Sequence, residues 1–263
     1  MITDKLNIEV DGLNIVGWTY KKEEKAASNK KDPLLIICHG IPGQKKPIFN
    51  QDSEGDGGYP ALAKQCVEAG FSVFHFNFRG TEESEGNFDL KGWVRDLRAV
   101  IDYLDNSYPG GTGENGVYLW GFSAGAAVSS YIASEDSRIK GLVLAACPAD
   151  FEELFLESKL DDVIKEFRDR GILRDLEFPS DSKGWLQDIH DIKPIKYIAK
   201  VTPTPILIVH GDEDELISYQ KAYDIYKKAL EPKEIKIIPG AKHQLRKDER
   251  AVKTCIEWLS QMA

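Results

Sequence analysis

The chain has 263 residues, enough for one large α/β domain with a small insertion or for two small domains. Its hydrophobic content of 42% and charged content of 29% are those of a globular protein, and no run approaches the ~18 apolar residues of a membrane span. A formal net charge of −9 argues against nucleic acid, anionic membrane surfaces and polyanionic substrates, and favours a neutral or apolar small molecule.

Lys5 to Val10 and Leu13 to Tyr20 alternate apolar and polar residues around Asp11-Gly12, a hairpin signal, so the sheet is expected to open antiparallel. Lys21 to Asp32 reads as a charged loop. Leu34 to Cys38 is a continuous apolar run, as in a parallel strand buried on both faces. It ends at His39-Gly40-Ile41-Pro42-Gly43, and a polar, Gly-rich loop continues to about Gly58. Tyr59 to Ala69 has helical spacing and stops at Gly70, Phe71 to Phe78 is a strand, and Leu90 to Leu104 is an amphipathic helix. Val117 to Trp120 is a strand, Ala126 to Ala133 a helix, and Ile139 to Cys147 a further buried strand.

Between Phe151 and Ala199 the alternation of strand and helix pauses. Leu154, Phe155, Leu160, Val163, Ile164 and Phe167 share one helical face up to Gly171, and Asp181 to Ala199 is a second helical region broken by Pro194. The sheet resumes with Pro205 to Val209, followed by a helix over Tyr219 to Leu230, a strand over Glu234 to Ile238 and a helix over Asp248 to Met262. The expected fold class is α/β, a mostly parallel sheet of about eight strands with helices on both faces. The core is then 1–150 and 200–263, with 151–199 a small helical cap insertion.

The N-terminus, Met1 to Lys5, lacks the apolar core of a signal peptide. Cys38, Cys66, Cys147 and Cys255 are far apart with no C-x-x-C spacing, as expected of reduced core thiols in a cytoplasmic protein. Five histidines without ligand spacing give no case for a metal, and no cofactor motif is present.

The chemistry centres on Gly121-Phe122-Ser123-Ala124-Gly125, lying between a strand and a helix. A G-x-S-x-G in that context forms a tight turn whose small flanking residues let strand and helix approach and present the Ser123 hydroxyl above the sheet. A serine hydroxyl becomes a nucleophile when a histidine, oriented by a carboxylate, takes its proton. In open α/β sheets such groups gather beyond the carboxyl ends of the strands. The acid candidates lie in His210-Gly211-Asp212-Glu213-Asp214-Glu215 after one later strand, and His243 follows the next. Acyl transfer also needs two backbone N–H donors for the developing oxyanion. Ala124 supplies one and Ile41 the other, since Pro42 has no N–H. His39 reads as a residue bracing this loop, and His75 and His190 receive no role.

These motifs resemble, in order and spacing, those of the α/β-hydrolase superfamily over nearly the full chain. The sequence is most similar to small microbial carboxylesterases and the monoglyceride-lipase and serine-aminopeptidase groups. The resemblance implies Ser123, Asp214 and His243 as a triad, with Asp214 rather than Asp212 as the acid. Arg79-Gly80-Thr81-Glu82-Glu83-Ser84-Glu85-Gly86 matches a loop of that family, with Glu82 where a second glycine is common. The resemblance also implies that the insertion covers the nucleophile, so that Leu154, Phe155 and Phe167 would line an acyl pocket.

Trp93, Phe178 and Trp185 are further aromatic candidates for that pocket, each taken singly better explained by core packing. Glu152, Glu153, Asp161 and Asp162 would hold a substrate amine in an aminopeptidase, but read better as a solvated face. The implied activity is hydrolysis of an ester of a small or medium acyl group through an acyl-enzyme. Thioesterase and aminopeptidase are alternatives on the same triad, and a ligand-binding protein without catalysis is the rival on the same fold. A serine elbow disfavours haloalkane and epoxide chemistry, which use aspartate there.

Overall fold

The computed structural model describes residues 1–23, 32–43, 58–107 and 116–263. Most of the expected charged loop from Lys21 to Asp32, and the polar loop between Gly43 and Gly58, lie outside the described residues.

Strands β1 (Ile2–Val10) and β2 (Leu13–Lys21) form the expected hairpin. Its two turn residues, Asp11 and Gly12, are both left-handed, at φ 55° and 75°, the conformation that matches the twist of paired strands. Then follow β3 (Leu34–Cys38), α1 (Gly58–Glu68), β4 (Ser72–Phe76), α2 (Leu90–Ser107), β5 (Val117–Phe122), α3 (Ala124–Ala133) and β6 (Ile139–Ala145). The chain continues through α4 (Leu160–Asp169), α5 (Ser182–Asp191) and α6 (Pro194–Tyr197) to β7 (Ile206–Gly211), α7 (Gln220–Lys228), β8 (Lys233–Ile238) and α8 (Glu249–Met262).

The eight strands form one sheet in the order β1-β2-β4-β3-β5-β6-β7-β8. The hairpin is antiparallel, β2 meets β4 antiparallel, and every later pairing is parallel. The central strands are apolar throughout because helices cover both faces. Ile36 joins the layer formed with α2, α3 and α7, whereas its neighbours Leu35 and Ile37 join the layer with α1 and α8. All the parallel strands therefore end at one edge, and the loops after β3, β4, β5, β7 and β8 meet there.

The segment between β6 and β7 is helical and belongs to the first of these layers, through Phe155, Leu160, Ile164, Phe167, Trp185 and Ile189. Its first helix starts later than the apolar spacing suggests. The Nε2–H of His190 donates to the Phe155 carbonyl at 2.8 Å. A short 3₁₀ turn over Glu157–Lys159 intervenes, and α4 begins at Leu160.

A candidate active site at the carboxyl edge of the sheet

Ser123 stands between β5 and α3 with φ 53° and ψ −123°. This is a left-handed residue with a side chain, a strained state that persists only when neighbours fix it. Three contacts do so. The Ser123 N–H donates to the Ala145 carbonyl of β6 at 2.8 Å. Its own carbonyl accepts from the N–H groups of Ala126 at 2.9 Å and Ala127 at 3.2 Å, the first turn of α3. A Cβ added to Gly125 would strike the carbonyl oxygens of His39 and Cys38, so glycine there lets α3 sit on the end of β3.

The loop after β3 lies against this elbow. A Cβ on Gly40 would come within 2.9 Å of Ser123 Cβ and 3.6 Å of Ser123 Oγ. His39 braces the loop. Its Nδ1–H donates to the Gly40 carbonyl at 2.7 Å and its Nε2 accepts the Phe78 N–H at 3.1 Å. Burial pushes the His39 pKa down to about 4, against a smaller opposing effect of the Gly40 carbonyl. Ile41, in this loop, is half-buried, and Ala124 is the first residue of α3. The N–H of Ala124 has no partner within the helix, as helix geometry requires of a first residue.

Two more loops bring Asp214 and His243 together. After β7, Asp214 turns its carboxylate inward, with its side chain 0% exposed. Oδ1 accepts from the N–H groups of Leu216 at 2.9 Å and Ile217 at 2.8 Å. The Nδ1 of His243, in the loop after β8, lies 2.8 Å from Oδ2 and 3.0 Å from Oδ1. On the other side of Oδ2, the Nε2 of His210 lies at 3.0 Å. Burial alone would raise the pKa of this carboxyl. The N–H groups of His210, His243 and Ile217 outweigh burial and hold it well below the ordinary carboxylate range. With Asp214 ionised, Nδ1 of His243 carries the proton and Nε2 is left as the basic nitrogen.

The neighbouring acids have other partners. Asp212 Oδ1 accepts the Gly240 N–H at 2.6 Å, and Glu215 Oε2 accepts the His243 N–H at 3.2 Å. The acidic turn thus grips the β8 loop at its main chain as well as at the imidazole. Composition marked this stretch as rich in candidate acids but did not single out His210 or Glu215. The usable signal for His210 was its position four residues before Asp214 at the end of a strand, where a tight turn folds the two side chains together.

The residues expected to line a pocket separate into two environments. Leu154 is 40% exposed, whereas Phe155 and Phe167 are 7% and 4% exposed. Phe167 meets Phe88 at 5.2 Å, Phe155 at 5.9 Å and Trp185 at 6.1 Å between ring centroids, all nearly edge-on. Trp93 is fully buried against Phe78, and Trp185 donates its Nε1–H to the Phe88 carbonyl at 3.1 Å. Of the acids considered for an amine, Glu152 pairs with Lys193, and Glu153 with Lys221 at 3.0 Å.

Glu82, where a glycine is common, takes φ 45°. It keeps the left-handed backbone a glycine would have, and Arg174 fixes it by donating to the carbonyls of Glu82 at 2.8 Å and Ser84 at 2.7 Å. Among the described residues no group of three or more His, Cys, Asp or Glu side chains could hold a metal ion, and no helix is long and apolar enough to cross a membrane.

Comparison with known proteins agrees with this architecture. The BD-FAE family model matches residues 23–229. Protein YfhR of Salmonella typhimurium is 28% identical over 242 residues, covering 89% of this chain and 71% of YfhR. Lysophosphatidylserine lipase ABHD12 of Xenopus tropicalis is 24% identical over 198 residues, covering 74% of this chain and 46% of the lipase. Among solved structures, the α/β hydrolase GrgF from Penicillium superposes with a TM-score of 0.73 at 18% identity, over 100% of this chain and 99% of GrgF. Est1E from Butyrivibrio proteoclasticus, determined with ferulic acid bound, superposes with a TM-score of 0.69 at 21% identity, over 98% of each chain. A match across most of the chain, on an eight-stranded sheet with these loops at its carboxyl edge, places the protein in the BD-FAE family of the α/β-hydrolase superfamily, and it is a hydrolase.

Proposed function

We propose that the protein is a serine carboxylesterase with Ser123 as nucleophile, His243 as general base and acid, and Asp214 as the group that orients and charges His243. The observation that carries this reading is the 2.8 Å contact between His243 Nδ1 and a buried, ionised Asp214, at the same carboxyl edge of the sheet as the left-handed Ser123. Ser123 Oγ bonds to the acyl carbon as its proton passes to His243 Nε2. The N–H groups of Ile41 and Ala124 take the charge on the carbonyl oxygen. The ester C–O bond then breaks, and the leaving oxygen receives the proton from His243. Water next attacks the acyl-enzyme, giving its proton to His243, which returns one to Ser123. The products are an acid and an alcohol.

The segment 151–199 acts in this proposal as a cap, with Leu154, Phe155 and Phe167 on its acyl side. The substrate, and acyl donor, is a small-molecule ester, and water is the acceptor. The pairing of Glu152 and Glu153 with lysines weighs against an amine-binding role and hence against an aminopeptidase.

The test uses p-nitrophenyl esters of increasing acyl length beside a thioester, an aminoacyl anilide, a feruloyl ester and a lysophospholipid. The last two are included because of what Est1E was determined with and what ABHD12 is named for. Ester hydrolysis should dominate, Ser123→Ala should abolish it, and a serine-directed phosphonate should label Ser123. Label on another serine with loss of activity would remove Ser123 from the mechanism.

A further inference from the structure

His210, the last residue but one of β7, is fully buried, yet none of the steps above uses it. Its Nε2 lies 3.0 Å from Asp214 Oδ2 and 2.9 Å from the Ile217 carbonyl oxygen. Among the described residues its Nδ1 has no hydrogen-bond partner. Two acceptors at Nε2 and none of the described donors or acceptors at Nδ1 put the ring proton on Nε2. One N–H then faces both the carboxylate and the main chain of the turn that carries it. Ile217 is held from both sides, because its own N–H donates to Asp214 Oδ1 at 2.8 Å. Oδ2 in turn sits between two imidazoles, His243 at 2.8 Å and His210 at 3.0 Å.

We propose that His210 is a positioning residue for Asp214: its Nε2–H fixes the carboxylate in the plane that His243 needs and takes up part of its negative charge. This rests on the reading of Ser123, Asp214 and His243 as a triad. A carboxylate with one fewer donor is a stronger base toward its remaining partner. Removing His210 should therefore leave His243 more tightly protonated and less precisely aimed. The other charged groups around the turn are Asp212, on the Gly240 N–H, Glu215, on the His243 N–H, and Glu213. From β6 the strand alongside presents Ala145 and Ala146, and from β8 the register partner is Ile237, none of them titratable.

The experiment compares His210→Phe, which keeps a ring without the donor, with His210→Gln, whose amide N–H reaches the same place. Each is measured for kcat and KM across pH on a p-nitrophenyl ester, beside Ser123→Ala and Asp214→Asn. His210→Phe should lower kcat about ten- to a hundredfold with KM little changed, the scale of losing a hydrogen bond to a charged group. The acid limb of its kcat/KM profile should move to higher pH, and His210→Gln should recover much of the rate. A His210→Phe enzyme with wild-type kcat overturns the inference, as does a loss with an unmoved acid limb that Gln does not rescue. If Ser123→Ala and Asp214→Asn remain active, the triad itself fails, which is a separate result. If His210→Phe does not fold, the ¹⁵N shifts of His210 in the wild-type chain decide: an Nε2–H tautomer across neutral pH supports the role, and an Nδ1–H tautomer removes it.

Discussion

Asp212 and Asp214 stand in one turn, and their oxygens face different partners: a main-chain N–H of the β8 loop for Asp212, a histidine ring on each side for Asp214. Replacing the carboxylate by an amide has different consequences at the two sites. Asn at 212 keeps an oxygen for the Gly240 N–H, and ester turnover should stay close to wild type. Asn at 214 lacks the charge that fixes the proton on His243 Nδ1, and kcat should fall by roughly 10⁴-fold. Steady-state kinetics on purified variants of equal thermal stability check the pair. The opposite ranking would move the acid to Asp212.

The inserted helices pose their question at the level of packing. Phe167 is enclosed by Phe88, Phe155 and Trp185, so Phe167→Ala should cost about 3–5 kcal/mol of stability. Leu154→Ala, at a half-open position, should cost within about 0.5 kcal/mol. If the segment roofs an acyl site, Leu154→Ala should change the preference for long over short p-nitrophenyl esters at unchanged melting temperature. A flat chain-length profile in both variants would mean that the helices serve packing alone. How far these elements could be read from sequence follows from how local their causes are. The buried parallel strands announced themselves as apolar runs, and β3 has the bounds read for it, Leu34 to Cys38. The start of α4 did not: a 3₁₀ turn over Glu157–Lys159 precedes it, and the Phe155 carbonyl before that turn accepts from His190, a residue distant in sequence. The same limit applies at the site. Ser123, Asp214 and His243 each follow a strand and could be placed at one edge. His210 offered only its position four residues before Asp214, because its meaning lies in which way a turn folds back on itself.

For the molecule as a whole, two buried histidines, His39 and His75, contribute to its response to acid. Burial pushes His39 down to about 4, and burial together with nearby His39 pushes His75 down to about 3. In the unfolded chain both titrate near 6.5. Above that value neither state binds the proton and their contribution to stability is complete. As pH falls below it, the unfolded chain takes protons that the folded chain refuses, and stability declines until the folded pKa values are reached. Unfolding free energy should therefore begin to fall near pH 6.5 and keep falling toward pH 4, by up to about 1.4 kcal/mol per pH unit for each histidine, with melting temperature falling alongside it. His39→Gln should give a shallower decline in the same series of melts. An equal slope would show that His39 does not carry it.

The arginines that fasten the inserted helices to the rest of the molecule choose their partners in an unusual way. Arg170 donates to the Pro42 carbonyl at 3.2 Å, and Arg174 to the carbonyls of Glu82 and Ser84. A main-chain oxygen is present whatever side chain its residue bears. Substitutions in these loops that keep the backbone in place therefore leave the anchors of the inserted helices intact. If the inserted segment covers the site as proposed, side chains in the loops under it can change while the cover stays fastened.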